Sequence, residues 1–146
     1  MIQKLAGVLN ILGFIILIFA GLMLFPTAIS WYLDDHAIGS FLVGMFFSGF
    51  IGLVMWASTR KASLGRELRN RDGFLLSALT WMVLPAIATI PLLLSIPGLS
   101  FTDAYFETMS GLTTTGATTI SNLDKLPGSI NVWRAFLVWL GGMGVV

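Results

Sequence analysis

Three long stretches without a single charge constrain this chain more than anything else in it. Leu5 to Phe25, Ala37 to Thr59 and Phe74 to about Ile96 contain no Asp, Glu, Lys or Arg. Each is long enough, as a helix, to cross a hydrocarbon layer of roughly 30 Å. Hydrophobic residues make up 56% of the 146 positions and charged ones only 10%, against about 25% charge in a soluble domain. The predicted class is therefore an all-α integral membrane protein. Other chemistries lack their residues. Cysteine is absent, which removes disulfides and thiolates. A single histidine and scattered acids make no metal-ligand cluster, and no basic cluster suits nucleic acid. No cofactor is expected.

The charges that do occur set a topology. Arg60, Lys61, Arg66, Arg69 and Arg71 crowd the 60–72 connection against Glu67 and Asp72. By the positive-inside rule this connection is cytoplasmic, and Lys4 with the N-terminus lies on the same side. Asp34, Asp35 and His36 then face outward as a solvated turn, with His36 open to a pH-sensing role. Trp31 and Tyr32 suit an interfacial belt. The first apolar stretch competes with a signal peptide, but no clear cleavage site precedes a polar domain, and more spans follow. Pro26 is placed to kink or end it. Gly39, Gly44, Gly49 and Gly52 recur along the second stretch, and Gly44 with Ser48 makes a small-xxx-small pair for close packing. Pro85 and Pro91 should bend the third, with neighbouring side chains serving the freed carbonyls.

After the Pro97-Gly98 turn, the spacing of Tyr105, Phe106, Met109 and Leu112 predicts a short helix over 102–112. Ser100 and Asp103 fit a capping box at its start. Such a helix is roughly 16 Å long, enough to enter a membrane but not to cross it. Thr113-Thr114-Thr115-Gly116-Ala117-Thr118-Thr119 then stops it. Threonine competes for backbone partners, and Gly116 can take positive φ. Non-helical backbone at membrane depth is tolerated only inside protein or beside water. There its carbonyls can replace the hydration shell of a cation, and the C-terminal end of the preceding helix favours positive charge. Local composition alone also fits a threonine-rich surface loop.

Residues 121–131 form a polar connection, in which Asp124 is a solvated acid that could also draw cations. An apolar helix resumes at Val132. From there to Val146 fewer than the about 20 residues of a span remain, so a truncated product or a fragment is expected. Glu107 sits inside the short helix, where a carboxylate needs a partner or a cavity. The expected role is a hydrogen bond to the back of the loop, with an electrostatic role near a pore as the alternative. Arg134 is expected to snorkel to the interface, and Gly141, Gly142 and Gly144 to serve close packing or a bend.

FETMSGLTTTGATTI at 106–120 and WRAFLVWLGGMGVV at 133–146 resemble the first pore unit of the TrkH/KtrB potassium-uptake proteins, in the Trk/Ktr/HKT superfamily. The resemblance runs along the whole chain, and the first two helices match mainly in placement. It implies a helix pair over 1–59, a cytoplasmic connection over 60–72 and a first pore unit over 73–146. Within that unit it implies an outer helix over about 73–96, a pore helix over about 102–112, a filter over about 113–118 and the start of an inner helix over about 132–146. The carbonyls of Thr114, Thr115, Gly116 and Ala117 are expected to coordinate potassium, the transported ion, with Thr113 adding a site at the inner end. Gly116 matches the filter glycine, and a glycine there favours potassium over sodium.

The resemblance further implies an inner (plasma) membrane protein in the lipid bilayer, working as a homodimer with a cytosolic nucleotide-binding regulatory subunit. It also implies further pore units, in the same or other chains, because one loop supplies a quarter of a filter. Two other classes compete: a truncated, non-conducting membrane subunit or interaction module, and a membrane enzyme. For the enzyme, Tyr105, Glu107 and the threonines offer no nucleophile–base pair, metal cluster or phosphate loop.

Overall fold

The computed structural model describes residues 2–63 and 69–143, with side chains described over 5–61 and 69–143. Arg66, Glu67 and Gly144, and the side chain of Lys4, lie outside these. The described residues are helical with no strand. In order they form α1 (Ile2–Leu22), α2 (Leu24–Leu33), α3 (Ile38–Ser63), α4 (Asn70–Ser95), α5 (Phe101–Leu112), a short 3₁₀ turn at Leu123–Lys125, and α6 (Gly128–Gly142). Three stretches are long and apolar enough to cross a membrane: Leu5–Leu33, Ile38–Lys61 and Asn70–Ser95. They are apolar all round, as lipid-embedded helices are. On α3, Phe46, Phe47, Phe50 and Leu53 are exposed.

The first span is not one helix. It breaks at Met23, three residues before Pro26, and continues as α2. Proline has no N–H for the carbonyl four residues back and its ring crowds that carbonyl. The chain tightens there instead: the Met23 amide bonds the Ala20 carbonyl, and the Thr27 hydroxyl donates back to the Met23 carbonyl at 2.7 Å. The connection between the second and third spans is shorter than its charges suggest. Arg60 to Ser63 extend α3, and Asn70 to Asp72 already form the first turn of α4.

α1 and α3 approach through glycine. A Cβ on Gly52 would lie 2.9 Å from the Gly13 carbonyl oxygen, and one on Gly13 would lie 2.8 Å from the Trp56 nitrogen. The glycines of α3 are not equivalent. Gly44 touches Met23 and Pro91, whereas a Cβ on Gly39 would meet open space.

Trp133 of α6 joins the layers. It is fully buried, its ring lies against Phe19, Phe41 and Phe136, and its indole N–H donates to the Ala88 carbonyl at 3.2 Å. Helix α4, which contains Pro85 and Pro91, offers three carbonyls to its neighbours. Met82 takes the Tyr105 hydroxyl, Pro85 takes the Thr108 hydroxyl, and Ala88 takes Trp133.

Asp35 closes one end. Its carboxylate accepts from the Ser30 hydroxyl, the Ala37 amide at 3.2 Å and the Ser129 amide at 2.7 Å. It therefore ties the α2–α3 turn to the first turn of α6, where a merely solvated turn was expected. Burial pushes this carboxyl up, but the hydrogen bonds from Ser30, Ser129 and Ala37 outweigh it and hold the group below the ordinary aspartate value.

Candidate functional site

The threonine-rich loop hangs from the C-terminal end of α5. At the start of α5 the Ser100 hydroxyl accepts the Asp103 amide at 3.1 Å. The Asp103 carboxylate sits on that same hydroxyl at 2.6 Å, where the capping-box reading places it on the Ser100 amide. Thr108, fully buried, fixes α5 to α4 through the Pro85 carbonyl at 2.9 Å. The helix ends where Thr113 turns its hydroxyl back to the Met109 carbonyl at 2.8 Å.

Beyond that point the backbone amides face one way. Thr114 N–H donates to the Gly111 carbonyl at 2.9 Å, and Thr115 and Gly116 donate to the Ser110 carbonyl at 2.9 and 3.4 Å. Each peptide is trans, so each carbonyl points opposite to the N–H that follows it. The carbonyls of Thr113, Thr114 and Thr115 are thereby turned away from α5. Further along, the Thr119 and Ile120 amides donate to Glu107 Oε1 at 2.6 and 3.2 Å, which turns the Thr118 and Thr119 carbonyls away as well. Among the described residues, no donor reaches the carbonyls of Thr114, Thr115 or Gly116. Residues 113–119 are exposed.

Two residues with positive φ make this possible, Thr114 at 58° and Gly116 at 72°. Glycine accepts such a conformation readily. A β-branched threonine does not, and local strain of about 1–3 kcal/mol is typical of functional sites. A Cβ on Gly116 would meet open space, so the backbone angle and not crowding selects glycine there.

Ala117 differs from its neighbours. Its carbonyl accepts the Ser110 hydroxyl at 2.8 Å and is drawn back toward α5. A carbonyl oxygen has two acceptor positions, so one remains.

Behind the loop, Glu107 is buried. Its Oε1 also accepts the Thr118 hydroxyl at 2.6 Å. Its Oε2 accepts Arg134 Nε at 3.0 Å and lies 2.9 Å from Arg134 Nη2. Arg134 does not snorkel away as expected; it is the counter-ion of Glu107. α6 passes the end of α5 at backbone contact, and a Cβ on Gly141 would overlap the Leu112 carbonyl. Gly142 lies 3.8 Å from the Thr114 methyl by the same measure.

A family profile described as "TrkH: Cation transport protein" matches residues 37–146. The chain belongs to this family. As a TrkH-family chain it is 40% identical over 141 residues to the Trk system potassium uptake protein TrkH of Escherichia coli K12, covering 96% of this chain and 29% of that protein. It is 44% identical over 145 residues to the protein of the same name from Halomonas elongata, covering 99% and 30%. The crystal structure of the potassium transporter TrkH from Vibrio parahaemolyticus superposes with a TM-score of 0.88 at 40% identity, over 96% of this chain and 30% of that one. The chain thus spans about 30% of the length of the relatives it matches. By name these relatives are potassium uptake and transport proteins.

Sequence reasoning placed the loop and the Glu107 bond behind it. It missed that Arg134 reaches the same carboxylate. The only signal was an arginine within an apolar helix, where a charge calls for a partner as readily as for an interface.

Proposed function

We propose that this TrkH-family chain forms part of a potassium uptake protein. The carbonyl oxygens of Thr113, Thr114, Thr115, Gly116 and Ala117 replace water around a dehydrated potassium ion. The observation that carries this reading is the uniform direction of the loop amides. With the N–H groups of Thr114, Thr115 and Gly116 spent on the end of α5, the carbonyls of Thr113, Thr114 and Thr115 form a row on the opposite side. A row of carbonyls suits a bare cation, and the C-terminal end of α5 adds partial negative charge nearby. Ala117, whose carbonyl the Ser110 hydroxyl holds toward α5, joins the row when that bond is released. The names of the relatives supply potassium as the ion.

One loop does not surround an ion, so the remaining pore units come from the same or other chains. The share of the relatives that this chain covers supports that reading. In this arrangement 1–59 is an N-terminal helix pair, 60–72 a cytoplasmic connection and 73–146 a pore unit. Arg60, Lys61, Arg69 and Arg71 at one end, with Asp34, Asp35 and Asp124 at the other, support a cytoplasmic N-terminus in an inner (plasma) membrane. A homodimer with a cytosolic nucleotide-binding regulatory subunit follows from the family resemblance.

The test is Gly116→Ser in the natural full-length gene product. The side chain has room, but positive φ costs a residue with a Cβ about 1–2 kcal/mol and disturbs the carbonyl row. Preference for potassium over sodium in uptake falls, while the amount of protein in the membrane is kept. Unchanged selectivity in a normally inserted protein sinks the reading.

A further inference from the structure

We infer that Glu107 is a positioning residue for the outer end of the loop, Thr118 to Ile120, just beyond the carbonyl row, and that Arg134 on α6 holds it in place. This rests on the reading of the loop as an ion path. The inner carbonyls, from Thr113 to Thr115, are set by the end of α5 itself through backbone hydrogen bonds. Beyond Gly116 the loop makes no backbone bond to α5 among the described residues, though the Ser110 hydroxyl holds the Ala117 carbonyl. The Thr118 hydroxyl and the Thr119 and Ile120 amides converge instead on the single oxygen Glu107 Oε1.

Packing does not substitute for these bonds. A cleft of about 270 Å³ lies behind the loop, bordered by Glu107, Ser110, Gly116, Asn131, Arg134 and Val138. With open volume at its rear, the outer loop keeps its course through directional bonds. A carboxylate suits the task because it accepts several donors at once. Buried charge requires compensation, and Arg134 provides it through Nε and Nη2 on the other oxygen. The pair also links the loop to α6, so displacement of α6 is transmitted to the Thr118 and Thr119 carbonyls.

The experiment compares Glu107→Gln, Glu107→Asp, Arg134→Ala and Arg134→Lys with Gly116→Ser in the natural full-length protein. Membrane level, maximal uptake rate, potassium KM and potassium-over-sodium preference are measured for each. Glu107→Gln keeps the shape but loses the ion pair. Glu107→Asp keeps the charge but falls short of the loop, which supplies a second variant should Gln fail to accumulate. Each is expected to raise KM about tenfold, the size of one lost charge-assisted hydrogen bond, and to lower potassium preference at normal protein level. Arg134→Ala follows Glu107→Gln, and Arg134→Lys recovers part of the loss. A purely structural role predicts less protein with unchanged KM and preference, and that result overturns the inference. If Gly116→Ser shifts selectivity and the Glu107 variants do not, the positioning role fails alone. If Gly116→Ser is silent too, the ion-path reading fails with it.

Discussion

Between α1 and α3 the backbones meet through Gly13 and Gly52, and between α5 and α6 they meet where Gly141 passes the Leu112 carbonyl. Both contacts depend on the missing Cβ, but their surroundings differ. The α1–α3 contact is apolar, with one polar addition at its end: Asn10 donates to the Trp56 carbonyl at 3.0 Å and to the Thr59 hydroxyl at 3.2 Å. The α5–α6 contact is backed by the Glu107–Arg134 pair, whose other oxygen holds the loop backbone. The first contact fixes the distance between helices. The second fixes the direction of individual peptide groups. Damage to the first should therefore register as lost stability, and damage to the second as altered ion discrimination even where stability survives.

The largest effect is expected at Gly141. A Cβ there overlaps a backbone carbonyl oxygen, which cannot move aside as the end of a flexible side chain can. Gly141→Ala should push α6 off α5 at a cost above about 3 kcal/mol, beyond the usual range for overpacking. The full-length protein should be scarce in the membrane and melt early in detergent. Gly142→Ala, with its nearest neighbour at 3.8 Å, should accumulate normally. Equal behaviour of the two variants breaks the claim that α6 meets the Leu112 carbonyl at Gly141.

Next comes Gly52→Ala, which places a Cβ 2.9 Å from the Gly13 carbonyl oxygen. Two helices that can part slightly accommodate it for about 1–3 kcal/mol. The melting temperature should fall while potassium preference stays at the parental value. Gly39→Ala, whose Cβ meets open space, serves as the control and should leave both unchanged. A selectivity change in Gly52→Ala would show that the two contacts are not separable.

Parts of this comparison are legible in the sequence, and the reason is how far apart the interacting residues lie. Spans, the short helix and the loop that ends it follow from composition and local spacing. The glycine pattern of α3 suggests close packing but does not say which glycine is used, because that depends on where α1 crosses. The α1–α2 break begins before Pro26, since proline acts on the turn that precedes it. The Glu107–Arg134 pair is separated by 27 positions and the Asp35–Ser129 bond by 94. No periodicity connects such residues. The turned-back carbonyl of Ala117 depends on Ser110, seven residues earlier and on another element. Gly116 announces positive φ, but Thr114, with the same sign, does not.

The smallest expected effect concerns Asp35, which joins the two regions by tying the α2–α3 turn to the start of α6 through the Ser129 amide. Asp35→Asn removes charge-assisted acceptance from that amide, from Ala37 and from Ser30. For a surface-side group of this kind a loss of about 1 kcal/mol at neutral pH is expected. The pH dependence carries the sign. The folded carboxyl is held below its ordinary value, so the unfolded chain takes up the proton more readily. The contribution is thus complete above the unfolded value, about pH 4, and disappears as pH falls through the lower folded one. The melting curves of the parent and Asp35→Asn in detergent should therefore differ at pH 7 and converge on acidification. A gap that persists at the lowest pH would mean that Asp35 acts through shape rather than charge. A gap that is absent at pH 7 would mean that the two regions are joined without Asp35, through apolar contacts such as Phe19 and Phe41 on Trp133 and Phe25 on Phe136.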